Sequence, residues 1–321
     1  MKLYKNITAF CVLSICFTSC LKDDSNLLDP AKTENVIEFA NTANLTSPTT
    51  SKYPLLSVNI VMEPNTVYNA AVSYSGANNA PEDITVEVGV ADASVLAFYK
   101  SQVAAASSYT MIPSNLFSLP VTKVVIPKGS RKVDLPINFP SPDQLYGKNY
   151  VLPLVIKSAS SGIISGNFNT MLYLLSGVNR FDGVYTLKYR FGANDRNYDL
   201  ATTTWYYSDV QLVTTSATTT VLRNLNAGSP YPHVATAAGL PTTIANLVPQ
   251  FIFDLATNKI TTISNTIAVT GTQTKTAVSN PAVTDNRFDP ATKNVYASFI
   301  LKETGRADMI INDTLIYKTP R

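Results

Sequence analysis

Cysteine is almost missing from this chain: Cys11, Cys16 and Cys20 are its three, and all fall within the first twenty positions. Beyond them no thiol remains to close a disulfide or to hold zinc. Histidine occurs once, as His233, which excludes a multi-histidine metal site and sets aside a His-paired nucleophile. Glycine-rich phosphate loops are absent, so nucleotide chemistry of the P-loop or dinucleotide type has no foothold. Basic runs are absent too, which argues against nucleic acid as a partner. No stretch of 18 or more apolar residues occurs, so no permanent membrane-spanning helix is expected.

The first twenty residues are the informative exception. Lys2 and Lys5 precede an apolar run over residues 7–17, broken only by Thr8 and Ser14. These are the charged and apolar regions of a secretory signal, too short to remain in a bilayer. Ser19 supplies the small residue before a cut, and Cys20 supplies a thiol that can be acylated. Phe17-Thr18-Ser19-Cys20 resembles a bacterial lipoprotein box, with Phe17 where Leu, Val or Ile is usual. Lys22-Asp23-Asp24 resembles the surface-export tag of Bacteroidetes lipoproteins. The resemblance implies a chain anchored in outer-membrane lipid through several acyl groups on Cys20 and facing outward. Cys16 is a poor rival, because Ile15 before it is too large. The plainer alternative is an ordinary signal peptide with an incidental cysteine.

Residues 1–19 are therefore expected to be removed and 20–33, short and polar, to act as a tether. Lys2 and Lys5 go with the signal, leaving 23 of the 25 basic residues against 22 acidic ones, a formal charge of about +1. What remains is long enough for two domains, each with its own core.

From residue 34 the chain alternates apolar and polar residues in short runs. In Ile84-Thr85-Val86-Glu87-Val88-Gly89-Val90 the even positions share one face, and in Val133-Asp134-Leu135-Pro136-Ile137-Asn138-Phe139 the odd ones do. That period belongs to antiparallel strands with one buried face. Further strands are expected at 35–39, 57–62, 66–75, 121–126, 150–157 and 169–175, with Pro136 and Pro153 at edges or bulges. One helix is expected, capped by Asp92, with Val95, Phe98 and Tyr99 on its buried side. Short strands with frequent turns point to a β-sandwich over 34–176. Four segments in it, Glu82-Asp83-Ile84-Thr85-Val86, Ser94-Val95-Leu96-Ala97-Phe98-Tyr99, Val125-Ile126-Pro127-Lys128-Gly129 and Tyr150-Val151-Leu152-Pro153-Leu154, resemble in order and spacing the Bacteroidetes domain of unknown function 1735. That resemblance implies an immunoglobulin-like or adhesin-like antiparallel sandwich at the start of a surface lipoprotein, often beside glycan-uptake systems. It brings no catalytic or binding residues.

Residues 176–180 read as the boundary of a second all-β domain over 177–321, either an antiparallel barrel or a second sandwich. In Gly183-Val184-Tyr185-Thr186-Leu187-Lys188-Tyr189-Arg190-Phe191 the aromatic and aliphatic residues take every second place. Asp254-Leu255-Ala256-Thr257-Asn258-Lys259 and Asp289-Pro290-Ala291-Thr292-Lys293-Asn294 read as hairpin turns. A long Pro/Gly loop runs over 228–241.

Glycoside hydrolysis needs only two carboxylates at a set separation. The second domain has one Glu, Glu303, and its only crowd of Asp is Asp182, Asp195, Asp199 and Asp209, residues typical of solvated turns. Asp195-Arg196-Asn197-Tyr198-Asp199 begins like a calcium loop but has Tyr206 at the twelfth position, so a hairpin turn is favoured and no metal is expected. No catalytic residue and no cofactor is assigned. Trp205-Tyr206-Tyr207 is the strongest local feature, because Trp205 and Tyr207 share one face of a strand. Flat aromatic faces pack against the C–H patch of a pyranose. Trp205 and Tyr207 are thus the glycan-binding candidates, with Tyr189, Tyr231 and His233 joining them if the long loop folds over. The competing reading makes Trp205 a core anchor. Asp313-Thr314-Leu315 resembles a Bacteroidetes O-glycosylation tripeptide, with Thr314 equally readable as a strand residue.

The reading is a non-enzymatic outer-membrane surface lipoprotein that binds glycan for a transporter complex. The alternatives are an adhesin that holds a protein partner and a protein associated with a glycoside hydrolase. The anchor is directly testable. Cys20→Ala is expected to abolish labelling by a fatty-acid analogue and to release the protein from the membrane fraction. Replacing Lys22, Asp23 and Asp24 with alanine should leave it lipidated but facing the periplasm.

Overall fold

The computed structural model describes residues 34–40, 45–192, 205–226, 228–237, 240–267 and 274–321. Cys20, Lys22, Asp23 and Asp24 lie outside the described residues, as do Asp195 and Asp199.

The first half is a sandwich. Its strands are β1 (Val36–Phe39), β2 (Leu55–Val61), β3 (Thr66–Ser75), β4 (Ile84–Val90), β5 (Thr110–Met111), β6 (Lys123–Ile126), β7 (Lys132–Phe139), β8 (Tyr150–Ala159), β9 (Ile163–Ile164) and β10 (Thr170–Val178). One sheet has the order β7-β3-β1-β9, the other β2-β10-β8-β4-β6 with β5 beside β8. Alternate residues from the two inner faces interlock: Ile37, Phe39, Leu135 and Phe139 from one sheet, Ile84, Val86, Leu154 and Tyr173 from the other. Most pairings are antiparallel as expected, but β2 runs parallel to β10, β1 to β9 and β5 to β8.

Helix α1 (Ala93–Gln102) starts at Asp92, whose carboxylate accepts the Ser94 N–H at 2.8 Å. It packs Leu96 and Tyr99 on the outer face of the second sheet against Leu55, Val151 and Leu172, with Val95 partly buried beside them, so of the expected Val95, Phe98 and Tyr99 only Phe98 turns outward. That is why β8 and β10 are apolar on both faces. Phe98 is 43% exposed and meets Tyr53 edge to face. Pro136 sits on the edge strand β7. Pro153 lies in a central strand at the point where β4 ends, so its missing N–H faces no ladder partner.

The expected division at 176/177 falls inside β10. Ser176, Gly177 and Val178 pair with Asn59, Ile60 and Val61 of β2. Gly177 is needed there because a Cβ would stand 2.8 Å from the Tyr146 backbone nitrogen. The connection proper is residues 179–182, and it is firmly held. Asn179 donates through Nδ2 to the carbonyls of Ser216 and Thr219, both at 2.9 Å, and its Oδ1 accepts the Phe181 N–H. Asp182 accepts from Thr214 N and Oγ1 and from Arg321, and Arg180 bridges back to Glu63 at 2.8 Å.

The second half forms β11 (Gly183–Phe191), β12 (Tyr206–Thr214), β13 (Thr219–Asn224), β14 (Val234–Ala237), β15 (Leu240–Thr243), β16 (Pro249–Phe253), β17 (Ile260–Asn265), β18 (Lys275–Ser279), β19 (Arg287–Phe288), β20 (Val295–Glu303) and β21 (Met309–Thr319). Eight of these make one antiparallel sheet in the order β17-β16-β13-β12-β11-β21-β20-β18, with β19 beside β20. Each strand pairs with its neighbours along the chain, and β21 returns to β11, so the meander curls into a nearly closed barrel. Its last gap is bridged by Asn265 Nδ2 to the Lys275 carbonyl and by Ile260 N–H to the Asn286 carbonyl. Of the two expected architectures the barrel is the one formed.

Short turns gather at the barrel end facing the sandwich. Asp254 and Asp289 build two turns of one design, each taking an N–H two residues on and a threonine hydroxyl three residues on. Those bonds favour the carboxylates, led by the Ala256 N–H at Asp254 and by the Thr292 hydroxyl at Asp289, and hold both below the usual carboxylate range. Residues 225–248, between β13 and β16, fold over the other end.

A flexible Ser-Gly linker would be cut by protease, whereas this connection is bonded on every side. Limited proteolysis is expected to spare residues 179–182. Asn179→Ala should lower stability by about 1–3 kcal/mol, since it strands buried backbone groups, as read from urea unfolding.

Candidate functional site

Burial of one face of β11 separates two groups of side chains. Tyr185, Leu187, Tyr189 and Phe191 point into the barrel and are buried, while Thr186, Lys188 and Arg190 point out. On β12 the register sets Tyr206 opposite Tyr189 and Tyr207 opposite Lys188. Trp205, one step beyond, lies beside Arg190.

Inside, the described residues of 228–248 act as a plug. His233 is buried and its Nε2 lies 3.0 Å from both Asp313 carboxylate oxygens. A carboxylate only accepts, so Nε2 carries the proton. Nδ1 of His233 has no partner. The Tyr189 hydroxyl donates to the Val234 carbonyl at 2.6 Å and accepts the Val234 N–H at 2.7 Å. Burial pushes the Tyr189 phenol well up. Tyr189 meets His233 edge to face at 5.1 Å and stacks on Tyr206 at 5.5 Å. Tyr231, half-buried, bonds to Asn246 through its hydroxyl. Tyr189 and His233 are therefore not part of a surface platform. They lock the plug, and the expected five-residue cluster divides across the barrel wall. Asp313, adjacent to the expected glycosylation position Thr314, is the partner that sequence reasoning missed.

Outside, Trp205 is 38% exposed and Tyr207 60% exposed. Trp205 belongs to no core cluster, so the core-anchor alternative is corrected. The Lys188 ammonium lies 4.4 Å and the Arg190 guanidinium 4.9 Å from its ring centre. Cation–π attraction therefore steadies the indole from its own wall. Tyr207 makes no ring contact or hydrogen bond with the described residues. The next strand, β21, sets Thr314 beside Lys188 and Asn312 beside Arg190. Lys188 and Arg190 were also missed. Their parity opposite Tyr189 was visible in the sequence, but their neighbours across the strand were not.

The expected carboxylates are otherwise engaged. Asp182 is tied to Thr214 and Arg321, and Asp209 to Lys318 at 3.0 Å. Among the described residues no three His, Cys, Asp or Glu side chains gather to hold a metal. A concavity of about 620 Å³ lies in the sandwich against Leu45, Lys52, Asn167 and Phe168. Ser47, Thr49 and Ser51 also line it, and Lys52 is its one ionisable lining residue among those described.

Residues 39–163, less than half of the chain, match a family described as "-like, N-terminal domain", related to the domain of unknown function 1735. No curated protein matches. Among solved structures, the chain is similar to a Bacteroides ovatus protein of unknown function (13% identity, 89% of this chain and 95% of that one, TM-score 0.44). It is also similar to a B. ovatus multidomain protein including DUF1735 (13% identity, 87% and 93%, TM-score 0.41). A third is an auxiliary nutrient binding protein of B. thetaiotaomicron (15% identity, 81% and 89%, TM-score 0.39). None of these three reaches a TM-score of 0.5.

The two aromatic sets should separate in stability. His233→Ala leaves Asp313 buried and unpaired and is expected to cost about 3–5 kcal/mol. Trp205→Ala should stay within about 0.5 kcal/mol of the parent chain. Urea unfolding of both variants measures this, and an equal loss in the tryptophan variant would contradict its outward placement.

Proposed function

We propose that this chain is a lipid-anchored surface protein of the outer membrane that binds glycan through the outer wall of its barrel. The observation that carries this reading is the exposed pair Tyr207, on β12, and Trp205, one residue before that strand begins. Two residues of extended backbone span about 7 Å, a spacing that lets both side chains contact one extended chain. A pyranose offers them C–H surface while its hydroxyls reach Thr314 and Asn312. The anchor rests on the sequence around Cys20, and the transporter complex on the family resemblance.

The adhesin reading would call for an apolar edge strand open to a partner. The edge strand β6 does expose Val125, but it is four residues long and carries Lys123, the sort of edge that resists pairing. That observation favours glycan over a protein partner. Among the described residues no carboxylate pair at a cleft supports hydrolysis, and the proposal is for binding without catalysis.

The test is a titration of the lipid-free chain against a polysaccharide panel, followed by calorimetry. Trp205→Ala and Tyr207→Ala should each weaken the bound glycan by about 1–3 kcal/mol, on the scale of base–aromatic stacking, without lowering the melting temperature. Unchanged affinity in both variants would remove the outer wall from the site.

A further inference from the structure

Lys188 and Arg190 do more beside this platform than steady an indole. Neither has a hydrogen bond or ion pair with the described residues; their interaction is with the Trp205 ring. Cation–π contact leaves a positive charge un-neutralised, since the ring carries no net charge. Their cross-strand neighbours Thr314 and Asn312 are neutral. Among the described residues the outward carboxylate in the rows alongside, Asp209, is opposite Thr186 and engaged by Lys318 at 3.0 Å. The wall therefore carries Lys188, Arg190 and Lys318 against Asp209 on a chain of nearly balanced charge.

We infer that the ligand of this wall is an acidic polysaccharide, its carboxylate or sulfate groups seated on Lys188 and Arg190 while its sugar rings lie on Tyr207 and Trp205. The inference rests on the glycan reading above and names its substrate class. Both cations sit on the strand adjacent to the aromatic pair, so one sugar residue can meet an aromatic face and a charge together. Arg190, with its planar fork of donors, suits a carboxylate or sulfate taken two oxygens at a time. The hydroxyls of a neutral glycan can accept from both side chains but leave their charges un-neutralised, so an acidic group gains more there.

The test uses matched probes on the lipid-free chain. Polygalacturonate is compared with its fully methyl-esterified form, and dextran sulfate with dextran. An acidic member bound about tenfold more tightly than its neutral counterpart is expected, the value of roughly one charge-assisted hydrogen bond. That advantage should shrink as salt is raised, because exposed charges are screened. The first pair reports carboxylate recognition and the second sulfate. Lys188→Gln with Arg190→Gln should erase the preference, Lys188→Arg should keep it, and Trp205→Ala should weaken acidic and neutral binding alike. Equal binding of acidic and neutral members, or a preference that survives the double Gln variant, overturns the inference and leaves the glycan reading standing. No binding by any of the four probes or by the wider panel overturns both. A single-stranded oligonucleotide bound more tightly than every polysaccharide would reassign the wall and overturn it as well.

Discussion

One constraint orders the second domain: β11 can bury only one of its faces. Tyr185, Leu187, Tyr189 and Phe191 take the inside, which leaves Thr186, Lys188 and Arg190 no place but the wall. Because β11 sits between β12 and β21, that parity passes to both neighbours through the ladder. It directs Tyr206 and Asp313 inward, and Tyr207 and Thr314 outward. A one-residue slip in either pairing would exchange the two sets and place lysine and arginine in the core. The apolar cluster thus fixes the surface chemistry as firmly as it fixes the interior.

The plug follows from the same parity. A chain segment laid over a barrel end brings backbone N–H and C=O groups that need partners away from water. The inward Tyr189 hydroxyl meets both polar groups of Val234, and inward Asp313 meets His233. Neither partner could be apolar without stranding a buried group. This accounts for His233, Tyr189 and Asp313 beside the Phe, Leu, Ile, Val, Ala and Met side chains and Tyr185 of that core, with no catalytic purpose required.

Much of this was legible in the sequence and some was not, for physical reasons. The strands over 66–75, 84–90 and 183–191 were read to the residue, because a half-buried strand writes its period into the sequence. The turns at Asp254 and Asp289 were legible from their side-chain chemistry. The boundary was placed too early because Ser176 and Gly177 look like a linker, while the parallel partner β2 that holds them is more than a hundred residues away. Tyr189 was grouped with Trp205 and Tyr207 because the register between β11 and β12 depends on where the chain between them turns. Only the ladder shows that Tyr189 faces Tyr206. Asp313 looked like part of a glycosylation tripeptide because its partner His233 lies 80 residues away.

The position of the aromatic pair also bears on the size of what it can hold. An eight-stranded barrel is just wide enough to be filled by side chains or to take one small ligand. Here Tyr185, Phe251, Phe299 and their neighbours fill it, and His233 and Leu247 close one end, so the lipocalin-like choice of an interior pocket is used up. On the proposed reading recognition falls to the wall, where among the described residues Trp205, Tyr207, Lys188 and Arg190 form an open strip. An open strip buries little of a monosaccharide and cannot reach the enclosure that small-ligand sites depend on. It suits a chain that continues past both ends of the strip, engages each sugar weakly and accumulates affinity over several contacts. If the wall binds glycan as proposed, the filled interior favours a polymer over a small sugar as its occupant.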